Sequence, residues 1–243
     1  MGKNGASDKV AVEPMQTVVA MECRSSGQRY LRFEPEFVVL RDGYDVCLHL
    51  LFELGEFAPA DARDRVQRDL ACDTLDSLRM AEGALLRGYE NQAMVLLRRA
   101  YETVSLMTYF LNFPDEVRVW ESGKEIRNCD IREALDAAAM PEPKGHLRDL
   151  YRLYSDFTHV NRKTVWNRML GEGNRFTVGA QGNVSDKTVG AYLREMLRMT
   201  MWFVDVMNFA FAPVAKTLGP NYASSVLAYR GTVQRIADHL AQL

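Results

Sequence analysis

Leu147-Arg148-Asp149-Leu150-Tyr151-Arg152-Leu153-Tyr154-Ser155-Asp156-Phe157-Thr158-His159-Val160-Asn161 reads as one amphipathic helix. Leu147, Leu150, Tyr151, Tyr154 and Phe157 recur at helical spacing and form an apolar stripe. Beside it, Arg148, Arg152, Ser155 and His159 stand at i, i+4, i+7 and i+11. Two guanidiniums, a hydroxyl and an imidazole on successive turns are either a solvated helix face or the parts of a site.

The same period extends outward in both directions. Ala93, Leu96, Leu97, Ala100, Val104, Met107 and Leu111 predict a helix over Asn91–Asn112. Phe113-Pro114-Asp115 ends it and starts a short helix through Trp120. Upstream, Pro59-Ala60-Asp61 reads as a helix start, with Asp61 and Asp64 favoured by the helix dipole. Val66, Leu70, Leu75, Leu78, Ala81 and Leu85 then carry the helix to about Tyr89, and Gly88 marks a break. Val46–Leu54 is helical by the same criterion, whereas the local alternation and valines of Tyr30–Leu40 predict a short strand or extended arm. Downstream lie a brief helix at Asp130–Ala139 and a glycine-marked loop in which Arg175–Gly179 is a candidate hairpin arm. A long helix over Asp186–Leu218 is broken by Gly219-Pro220, and a last helix covers Tyr222–Leu240. The fold class is therefore all-α: an antiparallel bundle of four to five main helices, with short additional helices and a small β-arm. Two parts are expected, an N-terminal arm over 1–45, partly extended or disordered, and one helical-bundle domain over 46–243.

The 243 residues are enough to bury a sizeable core. A net charge of −2 excludes a globally basic nucleic-acid binder, so any phosphate site must be a local patch. The four cysteines, Cys23, Cys47, Cys72 and Cys129, contain no CxxC pair, which argues against a zinc site and for reduced thiols in a cytoplasmic protein. Met1–Ser7 lacks a signal-peptide apolar run, and Ala6 stands where a myristoylation motif wants Ser or Thr. Met199–Ala215 is apolar apart from Thr200, Asp205 and Asn208, but shorter than the ~20 residues a membrane span needs. It is read as a buried helix, and no membrane partner is expected. Neither a Gly-rich phosphate loop nor a His-Glu-x-x-His motif is present, and His49 with Glu53 supplies only two metal ligands. The expectation is no cofactor and no metal. His146 and His239 read as incidental.

Two constellations remain. In the Arg148/Arg152/Ser155/His159 row, paired guanidiniums can hold a phosphate or carboxylate, and a histidine near neutrality can move a proton. Arg152 and His159, about 10 Å apart along the helix, can both reach one nucleotide lying on that face. The bland reading is a solvated stripe with His159 on the C-terminal carbonyls. The second constellation is Arg98 and Glu102 in Leu97-Arg98-Arg99-Ala100-Tyr101-Glu102. As a surface pair this order is the less favourable one, so burial between helices is the alternative reading. If the two helices pack antiparallel, Arg98, Glu102, Ser155 and His159 can form one polar cluster.

The combination of Leu96-Leu97-Arg98-Arg99-Ala100-Tyr101-Glu102 with Leu150–His159 resembles a group of bacterial helical proteins having Arg-x-x-x-Glu and a later Tyr-x-x-x-Ser-x-x-x-His. In layout the chain is similar to the HEPN superfamily of helical bundles over about residues 60–215. The resemblance implies dimeric, metal-independent ribonucleases of toxin–antitoxin and phage-defence systems, or inactive binding relatives. It carries Arg152 onto the arginine of the family's Arg-(four to six residues)-His motif and His159 onto its histidine. His159 would transfer the proton while Arg152 stabilises the phosphorane charge as a ribose 2′-OH attacks phosphorus. The sequence departs from the family at Leu153, where a polar residue usually follows the arginine.

The leading expectation is thus a cytoplasmic homodimer directed at RNA or a nucleotide, an endoribonuclease with catalytic His159 and Arg152. Arg148, Ser155, Arg98 and Glu102 are its binding residues, and an antitoxin or regulatory protein is its partner. The rival is a non-enzymatic interaction module whose Arg/Glu/Ser/His cluster is a structural network, in which Glu102→Ala costs a few kcal/mol. A third reading is a small-anion sensor using Arg148 and Arg152.

Overall fold

The computed structural model describes residues 15–56, 58–138, 145–158, 169–170, 175–176 and 185–242. They are nearly all helical, as the three- and four-residue spacing of apolar side chains requires.

The chain begins with α1 (Met15–Arg32) and α2 (Glu34–Gly55). The extended reading of Tyr30–Leu40 does not hold, and α2 runs across the expected domain boundary at residue 45. Phe33, Phe37, Leu40, Tyr44, Cys47, Leu50 and Leu54 repeat at spacings of three and four, and all are buried. That stripe outweighs the strand preference of Val38 and Val39, because burial of a whole helix face exceeds local propensity. Pro35 sits in the first turn, where its missing N–H costs nothing.

Next come α3 (Ala62–Leu86) and α4 (Glu90–Asn112). Asp61 caps α3, its carboxylate accepting from the Asp64 N–H at 2.8 Å. Gly88 closes that helix with φ +88°, a left-handed turn that only glycine adopts without cost, and the chain reverses into α4. The two helices form an antiparallel hairpin. The Thr74 and Thr103 hydroxyls lie 2.8 Å apart, and further along Gln67 Nε2 donates to the Met107 carbonyl at 3.0 Å.

Three shorter helices follow: α5 (Glu116–Glu121), α6 (Asn128–Ala137) and α7 (His146–Thr158). Two-residue strands β1 (Met169–Leu170) and β2 (Arg175–Phe176) pair antiparallel, Met169 opposite Phe176. The last segment contains α8 (Asp186–Ala210), α9 (Ala212–Thr217) and α10 (Gly219–Leu240). The single helix expected over Asp186–Leu218 is interrupted at Phe211. Pro213 in the first turn of α9 has no N–H to continue the ladder and its ring crowds the carbonyl four residues back.

The core lies where α8 packs on α2, α4 and α10, and α3 and α7 pack on α4. Leu78, Leu97, Phe110, Met196 and Phe203 are fully buried there. Of the apolar segment from Met199, Met199, Phe203, Val204, Val206, Met207 and Phe211 are buried while Phe209 is exposed, and no helix among the described residues is long and apolar enough to cross a membrane. One close approach sets the spacing of α2, α8 and α10. A Cβ on Gly43 would stand 2.5 Å from the Tyr229 hydroxyl and 2.7 Å from the Thr200 methyl.

Candidate functional site

The site is best built from α7 outward, because that helix divides sharply into two faces. On the inner face Leu147 and Tyr154 are 4% and 1% exposed, on a helix that packs against α4. The phenol of Tyr101, on α4, donates to the Leu147 carbonyl at 2.7 Å. Its ring also lies within an aromatic group formed with Tyr151, Tyr154 and Trp202 at centroid distances of 6.4, 5.7 and 5.9 Å. Burial pushes the Tyr101 and Tyr154 phenols well above their ordinary value, so both stay neutral donors.

Tyr151 marks the edge between the two faces. Arg98 donates to its hydroxyl at 2.7 Å and to Glu102 at 2.9 Å, so one guanidinium ties two turns of α4 to α7. The Tyr151 ring also meets two cations, Arg98 at 4.8 Å and Arg132 of α6 at 4.0 Å from its centroid. The knot thus joins α4, α6 and α7. Arg98 and Glu102 are 19% and 31% exposed, so the pair is half-buried rather than sealed between helices.

The outer face carries Arg148 and Arg152, whose side chains are 61% and 70% exposed. Asp149 stands between them, its carboxylate 4.0 Å from the first guanidinium and 3.8 Å from the second. Contacts this long, in water, hold little energy. The arginines therefore remain open to a better anion. Ser155 is half-buried on the same helix. His159 lies outside the described residues.

Of the residues singled out from sequence, the structure joins Arg98 and Glu102 and brings them to α7, while Arg148 and Arg152 stand on its solvent side. Sequence reasoning missed Tyr151 as a polar junction, since its position in the stripe made it core. It also missed Arg132, which nothing local distinguishes from a solvated helix residue. His49, on the metal-spaced pair, meets Tyr222 edge-on at 5.8 Å. Among the described residues no three metal-ligating side chains converge.

A groove of about 490 Å³ opens beside the knot, between α3, α4 and α6. Arg98, Glu102, Thr103 and Asn128 line it together with Leu106 and Ile131. On its α3 side Arg99 is bound to Asp73 by two hydrogen bonds of 2.6 and 3.1 Å.

Compared with known protein families, with curated proteins and with solved structures, the chain matches none.

Proposed function

We propose that this chain is an RNA- or nucleotide-directed protein of HEPN-like layout, acting as a homodimeric, metal-independent endoribonuclease of a toxin or phage-defence system. The observation that carries the reading is the division of α7. One face is buried and pinned to α4 through Tyr101 and Arg98, and the other offers Arg148 and Arg152 to solvent. A helix fixed in rotation with two exposed guanidiniums on consecutive turns suits the phosphates of an extended strand. Its continuation leads in sequence to His159.

In this reading α2, α3, α4, α8 and α10 are the main helices of an antiparallel bundle, and β1 with β2 forms a small arm. Arg152 stabilises charge on the phosphorane while His159 takes the proton of a ribose 2′-OH. The 2′ oxygen bonds to phosphorus, the bond to the 5′ oxygen breaks, and that oxygen leaves as it takes a proton from water. The test compares wild type, His159→Ala and Arg152→Ala for cleavage of a mixed RNA pool in EDTA. Cleavage by wild type should disappear in His159→Ala and fall strongly in Arg152→Ala, with melting temperatures little changed because Arg152 is a surface residue. Absence of cleavage by folded, dimeric wild type overturns the nuclease.

A second reading, a non-enzymatic interaction module, is favoured by the closed Arg98–Glu102–Tyr151 knot, which serves packing without any ligand. A half-buried pair is partly screened, so Glu102→Ala should cost about 1 kcal/mol rather than the several expected of a sealed pair. In the module that loss of stability is the whole effect of the substitution.

A further inference from the structure

We infer that the groove between α3, α4 and α6 receives a single nucleobase, splayed out of a strand whose phosphates lie on Arg148 and Arg152. This rests on the RNA-directed reading of α7 and names what the neighbouring surface recognises. The groove's volume of about 490 Å³ falls within the range of small-molecule clefts, roughly 300–1,000 Å³.

Its charge decides the class of ligand. Arg98 is matched by Glu102 and Arg99 by Asp73, so the lining has cations and anions in equal number. A phosphate entering it would meet two carboxylates as well as two guanidiniums and gain little. A base is neutral and planar, with apolar faces and an edge of donors and acceptors. Leu106 and Ile131 supply apolar surface for the faces. Thr103, Asn128, the Arg98 guanidinium and the Glu102 carboxylate supply partners for the edge. Glu102 is 31% exposed, and a carboxylate already accepting from one guanidinium retains acceptor capacity for the N–H groups of a base. Unstacked bases recognised through their edges are the usual currency of single-strand RNA recognition.

One side chain links the groove to α7. Arg98 lines the groove and also donates to Tyr151, the residue adjacent to Arg152 on α7. A strand crossing this junction would place phosphate on the exposed arginines and the next base in the groove.

Titration of the full-length protein with adenosine, guanosine, cytidine and uridine, followed by calorimetry and saturation-transfer NMR, tests the inference. Wild type should bind at least one nucleoside saturably. Leu106→Trp, which fills the groove from its apolar side, should weaken that binding about tenfold, or ~1.4 kcal/mol. Asn128→Ala, at the half-buried start of α6, should weaken it with the melting temperature little changed, and it decides the matter if Leu106→Trp does not fold. Failure of all four nucleosides to bind folded wild type overturns the inference, as does unchanged binding by both groove variants. If RNA is still cleaved in a His159-dependent way when nucleosides fail, the groove reading alone is lost. If nucleosides bind a protein that cleaves nothing, the groove stands and the nuclease falls.

Discussion

Gly43 shows how one residue can set the distance between three helices. With no side chain on α2, the Tyr229 phenol and the Thr200 methyl approach its backbone directly, and both of those residues are buried. Gly43→Ala inserts a methyl where no space exists, and two well-packed neighbours must give way. The expected cost is about 1–3 kcal/mol, the range for overfilling a core. A urea midpoint equal to that of wild type would show that α10 can slide outward freely. Tyr151 is the other residue whose role exceeds its appearance. It occupies an apolar position in the helical pattern, yet its hydroxyl and ring are held by Arg98 and Arg132. Periodicity gives a face and not a partner, so this junction was not readable from α7 alone.

At the scale of the element, the ends of the helices were more legible than the contacts between them. Pro59-Ala60-Asp61 is recognisable as a helix start with acids in its first turn, and the structure makes Asp61 the cap of α3. Asp61→Ala should lower stability by about 0.5–2 kcal/mol, with Asp61→Asn recovering most of it. Equal losses for the two variants would mean that charge rather than the hydrogen bond matters. The N-terminal helices were misread for the opposite reason. α2 contains adjacent valines and a proline, which locally favour an extended chain, and only its burial against α8 and α10 makes the helical stripe decisive. α1 is held from its middle to its C-terminal end by side chains that pair far along the chain. Arg29 donates to the Leu85 carbonyl at 2.7 Å and pairs with Glu90, Tyr89 donates to Glu22, and Arg32 pairs with Asp186. Separations of this size leave no periodic trace in sequence.

For the whole molecule, buried carboxylates connect packing to pH. Glu90, at the start of α4, is 2% exposed, and burial raises its proton affinity although Arg29 opposes the effect. Glu82 on α3 is raised by burial in the same way, with Arg41 opposing. A raised value means the folded state binds the proton more tightly than the unfolded chain. The contribution to stability is therefore complete below the unfolded carboxylate value of about 4.3 and is lost as pH rises through the raised folded value. Glu90→Gln, which mimics the protonated acid, isolates this effect. The unfolding free energy of wild type minus that of the variant should fall as pH rises from about 4 toward neutrality. Urea titrations across that interval measure it, and a difference that grows with pH would reverse the assignment.

The sequence by itself determined the helical class of this protein, the positions of α3, α4, α7 and α10 to within a few residues, and the two-faced character of α7. Those features follow from local spacing, because a 3.6-residue period sorts side chains onto faces before any partner is present. Tertiary structure alone decided that Tyr30–Leu40 is the end of α1 and the start of α2, that Tyr151 sits between Arg98 and Arg132, and that a groove opens beside them. Each of these depends on what lies across an interface. Burial energy and the pairing of charges arise between elements that are distant in the chain, and only packing brings them together.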